Sequence, residues 1–159
     1  TPASLQRIFD QGHAVGELAR QRFPGGILIK ADYRHTTEAL EETAAALNSG
    51  ASILYEAAFL ADNTLVRTDI LVKQSPDSWN LYEVKSAAEV KDIYIQDIAV
   101  QKHVVEQAGL KVSAACLMHM NNRYTRKGRL GLEKLFQEII YGPPSTCCSR
   151  VCVESGAGF

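Results

Sequence analysis

Apolar residues recur along this chain in two periods, and the switches between them divide it into elements. Leu5, Ile8, Phe9, Val15, Leu18 and Ala19 follow one another at helical spacing, which predicts a helix over 4–21. A short strand at 26–30 and a helix at 36–48 come next. Apolar runs rich in Ile, Leu, Val and Tyr then predict strands at 52–60, 64–73 and 79–86. Tyr94, Ile98, Val105 and Ala108 recur at helical spacing and predict a helix over 92–108. A strand at 111–120 and a helix at 130–140 complete the order. Three consecutive strands followed by a helix that crosses to a fourth imply an α/β domain, a mixed central sheet flanked by helices. One domain over 1–140 is expected, with no repeats or long linkers. Residues 141–159 lack periodicity and contain Gly142-Pro-Pro-Ser, the composition of an irregular or disordered tail.

Charged residues inside the strand-like runs carry the chemistry. Asp69 lies just before apolar Ile70 and Leu71, and Glu83 and Lys85 lie in Leu81-Tyr-Glu-Val-Lys-Ser. Side chains alternate along a strand, so Glu83 and Lys85 share one face, while Tyr82, Val84 and Ser86 share the other. If the turn-rich Gln74-Ser-Pro-Asp-Ser closes a hairpin, Asp69, Glu83 and Lys85 converge on one side of the sheet. Two carboxylates suit a hard cation such as magnesium, which takes oxygen ligands. A nearby lysine suits an ion-activated water or a leaving oxygen that gains charge. The same spacing also fits a surface hairpin with a cross-strand ion pair.

From Asp69 to Lys85 the chain has the form D-x(n)-E-x-K and resembles the core motif of the PD-(D/E)XK nuclease superfamily. Glu83-Val-Lys-Ser, Lys91-Asp-Ile-Tyr-Ile-Gln-Asp-Ile-Ala-Val-Gln, Ala108-Gly-Leu-Lys-Val and Leu117-Met-His-Met-Asn occur in that order. They resemble the RecB-like branch, and within it an uncharacterised bacterial family related to CRISPR-associated RecB-like exonucleases. The similarity spans residues 9 to 138. It implies a restriction-endonuclease-like fold and a nuclease that hydrolyses DNA, at single strands or ends, by metal-activated water. It also implies a Mg2+ or Mn2+ cofactor and work in repair, mobile elements or defence.

The resemblance further implies roles for three residues that the pattern alone leaves open. Gln101 lies four residues after Asp97 on or beside the apolar stripe of its helix, where a buried amide needs a partner. It matches the glutamine that assists catalysis in RecB-like enzymes, although Val105 stands where a tyrosine often follows. His13 matches an early-helix histidine that completes the metal shell, a donor better suited to manganese than to magnesium. By itself, a lone helical histidine is an ordinary surface residue or ion-pair partner. Glu56 interrupts the run Ile53-Leu-Tyr-Glu-Ala-Ala-Phe-Leu and matches an accessory acidic ligand; alone, it fits a strand edge or a carboxylate aimed at a cation.

The charge balance changes the picture in one place. Net charge is −1, with 22% charged and 46% hydrophobic residues, which suits an ordinary globular domain rather than a uniformly basic nucleic-acid binder. Basic residues nonetheless cluster after the strand at 111–120: Arg123, Arg126, Lys127 and Arg129, with Tyr124 among them. Such a segment holds backbone phosphates, and Tyr124 offers a stacking face; it also fits a solvated turn.

No apolar run approaches the roughly 20 residues of a membrane span, and no charged-then-apolar leader is visible, so a cytoplasmic location and no membrane partner are expected. The chain begins at Thr1 and reads as a piece of a longer protein. Some relatives within the resemblance carry an iron–sulfur cluster held by one cysteine before the core and three after it. No cysteine precedes Cys116 here, and Cys147 and Cys148 are adjacent, so an iron–sulfur cluster is not expected. Cys116 reads as a small buried hydrophobe. The rival class is a nuclease-fold module that binds nucleic acid or a partner protein without cutting. A phosphoesterase acting on small nucleotides is a third.

Overall fold

A computed structural model describes residues 3–141. Helix α1 (Ala3–Arg22) leads to a short strand β1 (Ile27–Leu28) and helix α2 (Thr36–Asn48). Strands β2 (Ile53–Ala61), β3 (Thr64–Ser75) and β4 (Ser78–Lys85) run in succession, then helix α3 (Asp92–Gln107), strand β5 (Lys111–Met120), the one-turn helix α4 (Leu132–Leu135) and strand β6 (Phe136–Tyr141). The strands form one mixed sheet in chain order, parallel at β1–β2 and β4–β5 and antiparallel elsewhere. The α/β class and the mixed sheet flanked by helices are as expected.

Period-two alternation sends neighbouring side chains to opposite cores. Leu54, Leu71 and Leu81 pack with Ala39 and Ala46 of α2 and Ile98, Val104 and Val105 of α3. Their neighbours Tyr55, Ile70 and Tyr82 pack on the other face with Val15 and Ala19 of α1 and Leu135 of α4. With both faces covered, β4 is buried from Ser78 through Glu83, which is why its sequence reads as a nearly continuous apolar run. Turn chemistry sets the register: Asp62 and Asn63, both at positive φ, link the paired Ala61 and Thr64 in a two-residue hairpin. Thr43 ties α2 to the sheet by donating to the Ala39 carbonyl while accepting the Ala58 N–H.

Most boundaries fall within a residue or two of the sequence expectation, and the larger departures lie at the two outer strands. The helix at 130–140 is only a turn, Leu132–Leu135, and residues 136–141 form strand β6 instead. Leu132, Leu135, Phe136, Ile139 and Ile140 stand at helical spacing, but the outer edge of β5 needs partners for its backbone groups. Pairing of Met120 with Phe136 through Ala115 with Tyr141 supplies them. The first strand shrinks to two residues, and Ile29 extends it only by donating its N–H to the Tyr55 carbonyl. Tyr141 ends β6 rather than beginning the tail. The tail beyond it, with Cys147, Cys148 and Cys152, lies outside the described residues. Cys116 is fully buried, as its strand position suggested. Among the described residues, no helix is long and apolar enough to cross a membrane.

Gly26 is the tightest backbone approach. A Cβ there would overlap the Tyr55 ring and the Ile53 side chain, while the Tyr55 hydroxyl accepts the Gly26 N–H and donates to the Phe23 carbonyl. Gly26→Ala is expected to cost about 1–3 kcal/mol through overpacking, read as a lower urea midpoint with unchanged slope.

Candidate active site

The β2–β3–β4 register puts three carboxylates in one row. Tyr55 pairs with Ile70 and Ala57 with Thr68, so Glu56 stands opposite Asp69; Ile70 pairs with Tyr82, so Glu83 is the next residue along on the other side. The β3–β4 ladder has no partner pairs past Ile70 and Tyr82. There Asp69 Oδ2 accepts the Val84 N–H at 2.7 Å. A side chain has taken over a backbone bond, which fixes the carboxylate in the opening between strands.

Asp69 is short of positive charge. Burial pushes its carboxyl well above the ordinary value, the Glu83 charge pushes further, and the Glu56 charge adds to this; the Val84 bond and the Lys85 cation oppose but do not win. One edge of Asp69 still meets a cleft of 140 Å³ lined by Gly12, His13, Gly16 and Arg20 of α1, with Glu56, Ile70 and Val84.

Glu83 is buried and doubly held. Lys85 Nζ lies 2.8 Å from its Oε1, and Gln101 Nε2 donates to its Oε2 at 2.7 Å. Gln101 thus has the partner its position called for. Its Oε1 is buried without a partner among the described residues. Lys85 is gripped from three sides: besides Glu83, Asp97 Oδ2 is 3.3 Å away and the Tyr94 ring centroid 5.0 Å. Burial pulls the Lys85 pKa down, but the hydrogen bonds and charges of Glu83 and Asp97 outweigh it and hold it above the ordinary value. Lys85 therefore carries its proton at neutral pH. Asp97 and Gln101 come from successive turns of α3, so one helix face positions both members of the E-x-K strand. His119, buried on β5, pairs across the ladder with Lys85.

The remaining expected residues are placed less directly. His13 is exposed and lines the cleft beside Asp69. Glu56 is ion-paired, with Arg20 Nη2 at 2.9 Å from Oε1 and Arg67 Nε at 3.9 Å from Oε2. Among the described residues, no three His, Cys, Asp or Glu side chains stand as a ready metal cage. Asp69 and Glu83 are nevertheless neighbouring hard oxygen donors of the kind a divalent cation takes, and a cation there would offset the burial and the Glu83 charge that together raise Asp69.

Arg123, Tyr124, Arg126 and Lys127 occupy the loop after β5. That loop is rooted beside the one after β4 by the bond from Met120 N–H to the Ala87 carbonyl, at the end of the sheet where Lys85 lies. Arg123, Tyr124, Lys127, Arg129 and Lys134 line an open groove of 790 Å³. The Tyr124 hydroxyl accepts the Gly131 N–H, and its half-buried ring packs toward the α1 side of the core, so it braces the loop. Arg126 Nε donates to the Gly128 carbonyl.

Arg20, Arg67 and Asp97 join the site although no motif marks them in the sequence. Arg20 stands four and eight residues after Gly16 and Gly12, so its helical face was legible; its pairing with Glu56 spans the fold and was not. Comparison with family models, curated proteins and solved structures finds no match to this chain.

Proposed function

We propose that this domain is a metal-dependent nuclease of the PD-(D/E)XK, RecB-like type, with a restriction-endonuclease-like fold, hydrolysing phosphodiester bonds of DNA. The observation that carries this reading is the linkage of Glu83 to both Lys85 and Gln101, in the same row as a charge-starved Asp69. A surface hairpin with a cross-strand pair has no use for a buried glutamate held by a lysine and an amide from another helix.

Asp69 and Glu83 would hold Mg2+ or Mn2+, which when bound supplies a Lewis acid for the phosphate and lowers the pKa of water. Gln101 orients the Glu83 carboxylate through its Nε2. Lys85 keeps its proton and presents a fixed positive charge, suited to an oxygen that becomes more negative as the phosphodiester is attacked. It acts as an electrostatic group rather than a base. His13 borders the Asp69 cleft and is the candidate for a further donor from α1. The groove of Arg123, Lys127, Arg129 and Lys134 would take backbone phosphates of the same strand.

The test is incubation of the domain with end-labelled single- and double-stranded DNA and RNA, under magnesium, manganese or chelator, beside Lys85→Ala. Cutting that needs metal and is lost in the variant supports the reading, and the product ladder names the substrate. A chain that neither cuts nor binds metal is a nuclease-fold binding module instead.

A further inference from the structure

Glu56 is the residue whose surroundings fit its expected role least. Two cations already face its carboxylate, Arg20 Nη2 at 2.9 Å from one oxygen and Arg67 Nε at 3.9 Å from the other, where Glu83 has the single cation Lys85 among the described residues. Two guanidiniums face one carboxylate, so Glu56 does not cancel the positive charge around it, and Arg20 and Glu56 both line the cleft beside Asp69. The pairing is built in at some cost. Glu56 adopts φ 57°, a left-handed conformation that a residue with a Cβ holds only when its surroundings enforce it. Arg67 is itself fixed from behind, donating from Nη1 to the Ala31 carbonyl at 2.7 Å, and Arg20 lies 5.9 Å from the Tyr55 ring centroid.

The α1 wall is open where Arg20 leans over it. Gly12 and Gly16 lie on its helical face and line the same cleft, and a Cβ at either would meet nothing within 4 Å. Packing within the chain therefore does not require glycine there, although each costs a helix interior about 1 kcal/mol relative to alanine. What they leave is room beside the Arg20 guanidinium, whose side chain is 27% exposed. A guanidinium carries five donors in a planar fork. The Glu56 bond uses Nη2, so the fork can hold Glu56 and a phosphate oxygen together.

We infer that Arg20 is the phosphate-binding cation of the Asp69 cleft and that Glu56 is its positioning residue rather than a metal ligand. This assignment rests on the nuclease reading and specifies how a nucleic-acid strand is held there. The strand's phosphate lies against α1 at Gly12 and Gly16, with the Arg20 fork on one side and Asp69 on the other.

The experiment measures binding of a fluorescent single-stranded oligonucleotide across a KCl series, in the full chain carrying Lys85→Ala so that the strand survives. Arg20→Gln should weaken binding about tenfold and flatten the slope of log K against log salt by about 0.7, the loss of one single-strand phosphate contact. Arg20→Lys should keep the slope but bind more weakly, having lost the fork. Glu56→Gln should weaken binding in the parent and add nothing to Arg20→Gln. In calorimetry with Mn2+ alone, Glu56→Gln should leave metal affinity within about twofold, whereas Asp69→Asn should abolish it. An unchanged slope in Arg20→Gln, or loss of Mn2+ affinity in Glu56→Gln, overturns the assignment while leaving the nuclease reading in place. A parent that binds no strand at any salt removes both.

Discussion

Asp69→Asn is expected to raise the melting temperature of the metal-free protein and, on the nuclease reading proposed above, to abolish cleavage. Asparagine keeps the oxygen that accepts the Val84 N–H and removes a carboxyl that burial and the Glu83 and Glu56 charges drive toward its neutral form. Each kcal/mol of relieved repulsion should appear as about 2–4 °C in a thermal melt of a chain this size. Activity goes the other way. With Asp69 as a ligand of the proposed metal, its loss should remove several kcal/mol of charge stabilisation, about 10³-fold or more in rate.

The pH dependence follows the same charge. The unfolded chain releases the Asp69 proton in the ordinary carboxylate range, near 3.8, whereas the folded chain keeps it to a higher pH. Between those values the folded state holds the extra proton, so this residue's contribution to stability falls as pH rises. Metal-free wild-type protein should therefore lose stability over that interval relative to Asp69→Asn. Saturating Mg2+ should reverse the order, because the cation binds the ionised carboxylate that the variant lacks. Melts at several pH values, with and without Mg2+, test both statements. A variant that melts lower than wild type throughout would show that the Val84 bond and Lys85 outweigh the burial and the carboxylate charges around Asp69, and would overturn this expectation.

In the proposed mechanism the Lys85 ammonium stabilises charge and is not a ligand, so Lys85→Ala should cost about 10²–10³-fold in kcat while metal still binds. It should also destabilise the fold by about 1–3 kcal/mol, because the buried Glu83 loses the cation 2.8 Å from its Oε1. Asp97 supplies the sharper test. It touches Lys85 at 3.3 Å and lies one turn from Gln101, so it positions the ammonium. Asp97→Ala should slow kcat about tenfold with KM unchanged, Asp97→Asn should recover part of the loss, and neither should matter in the Lys85→Ala background. Additive losses would mean that Asp97 acts on something other than Lys85. Lys85→Arg should rescue little, because a planar fork replaces the compact ammonium that meets Glu83, Asp97 and the Tyr94 face at once.

The parts of the site legible in the sequence are those set by local periodicity. Alternation along β4 places Glu83 and Lys85 together, the Pro76-Asp77 turn folds β3 back on it, and the four-residue step from Asp97 to Gln101 puts both on one helix face. Each relation is fixed by backbone geometry within a few residues. Glu56 was legible as an anomalous acid in an apolar run, but its partners were not: Arg20 lies 36 residues away, and no local pattern encodes that contact.

Strand β6 shows the same division. Leu132 through Ile140 have helical spacing, and by local criteria the segment is a helix; the open edge of β5 makes it a strand, because unpaired backbone groups at a buried edge cost more than the lost helical turns. Side-chain period, legible residue by residue, is enough for the α/β class, the succession of the central strands and the convergence of Asp69, Glu83 and Lys85, with Gln101 on the helix face that follows. Folding as a whole set the fate of the last element, the raised Asp69 carboxyl and the capture of Glu56 by Arg20. These depend on burial and on charges brought together from distant segments, quantities that exist only once the chain has folded.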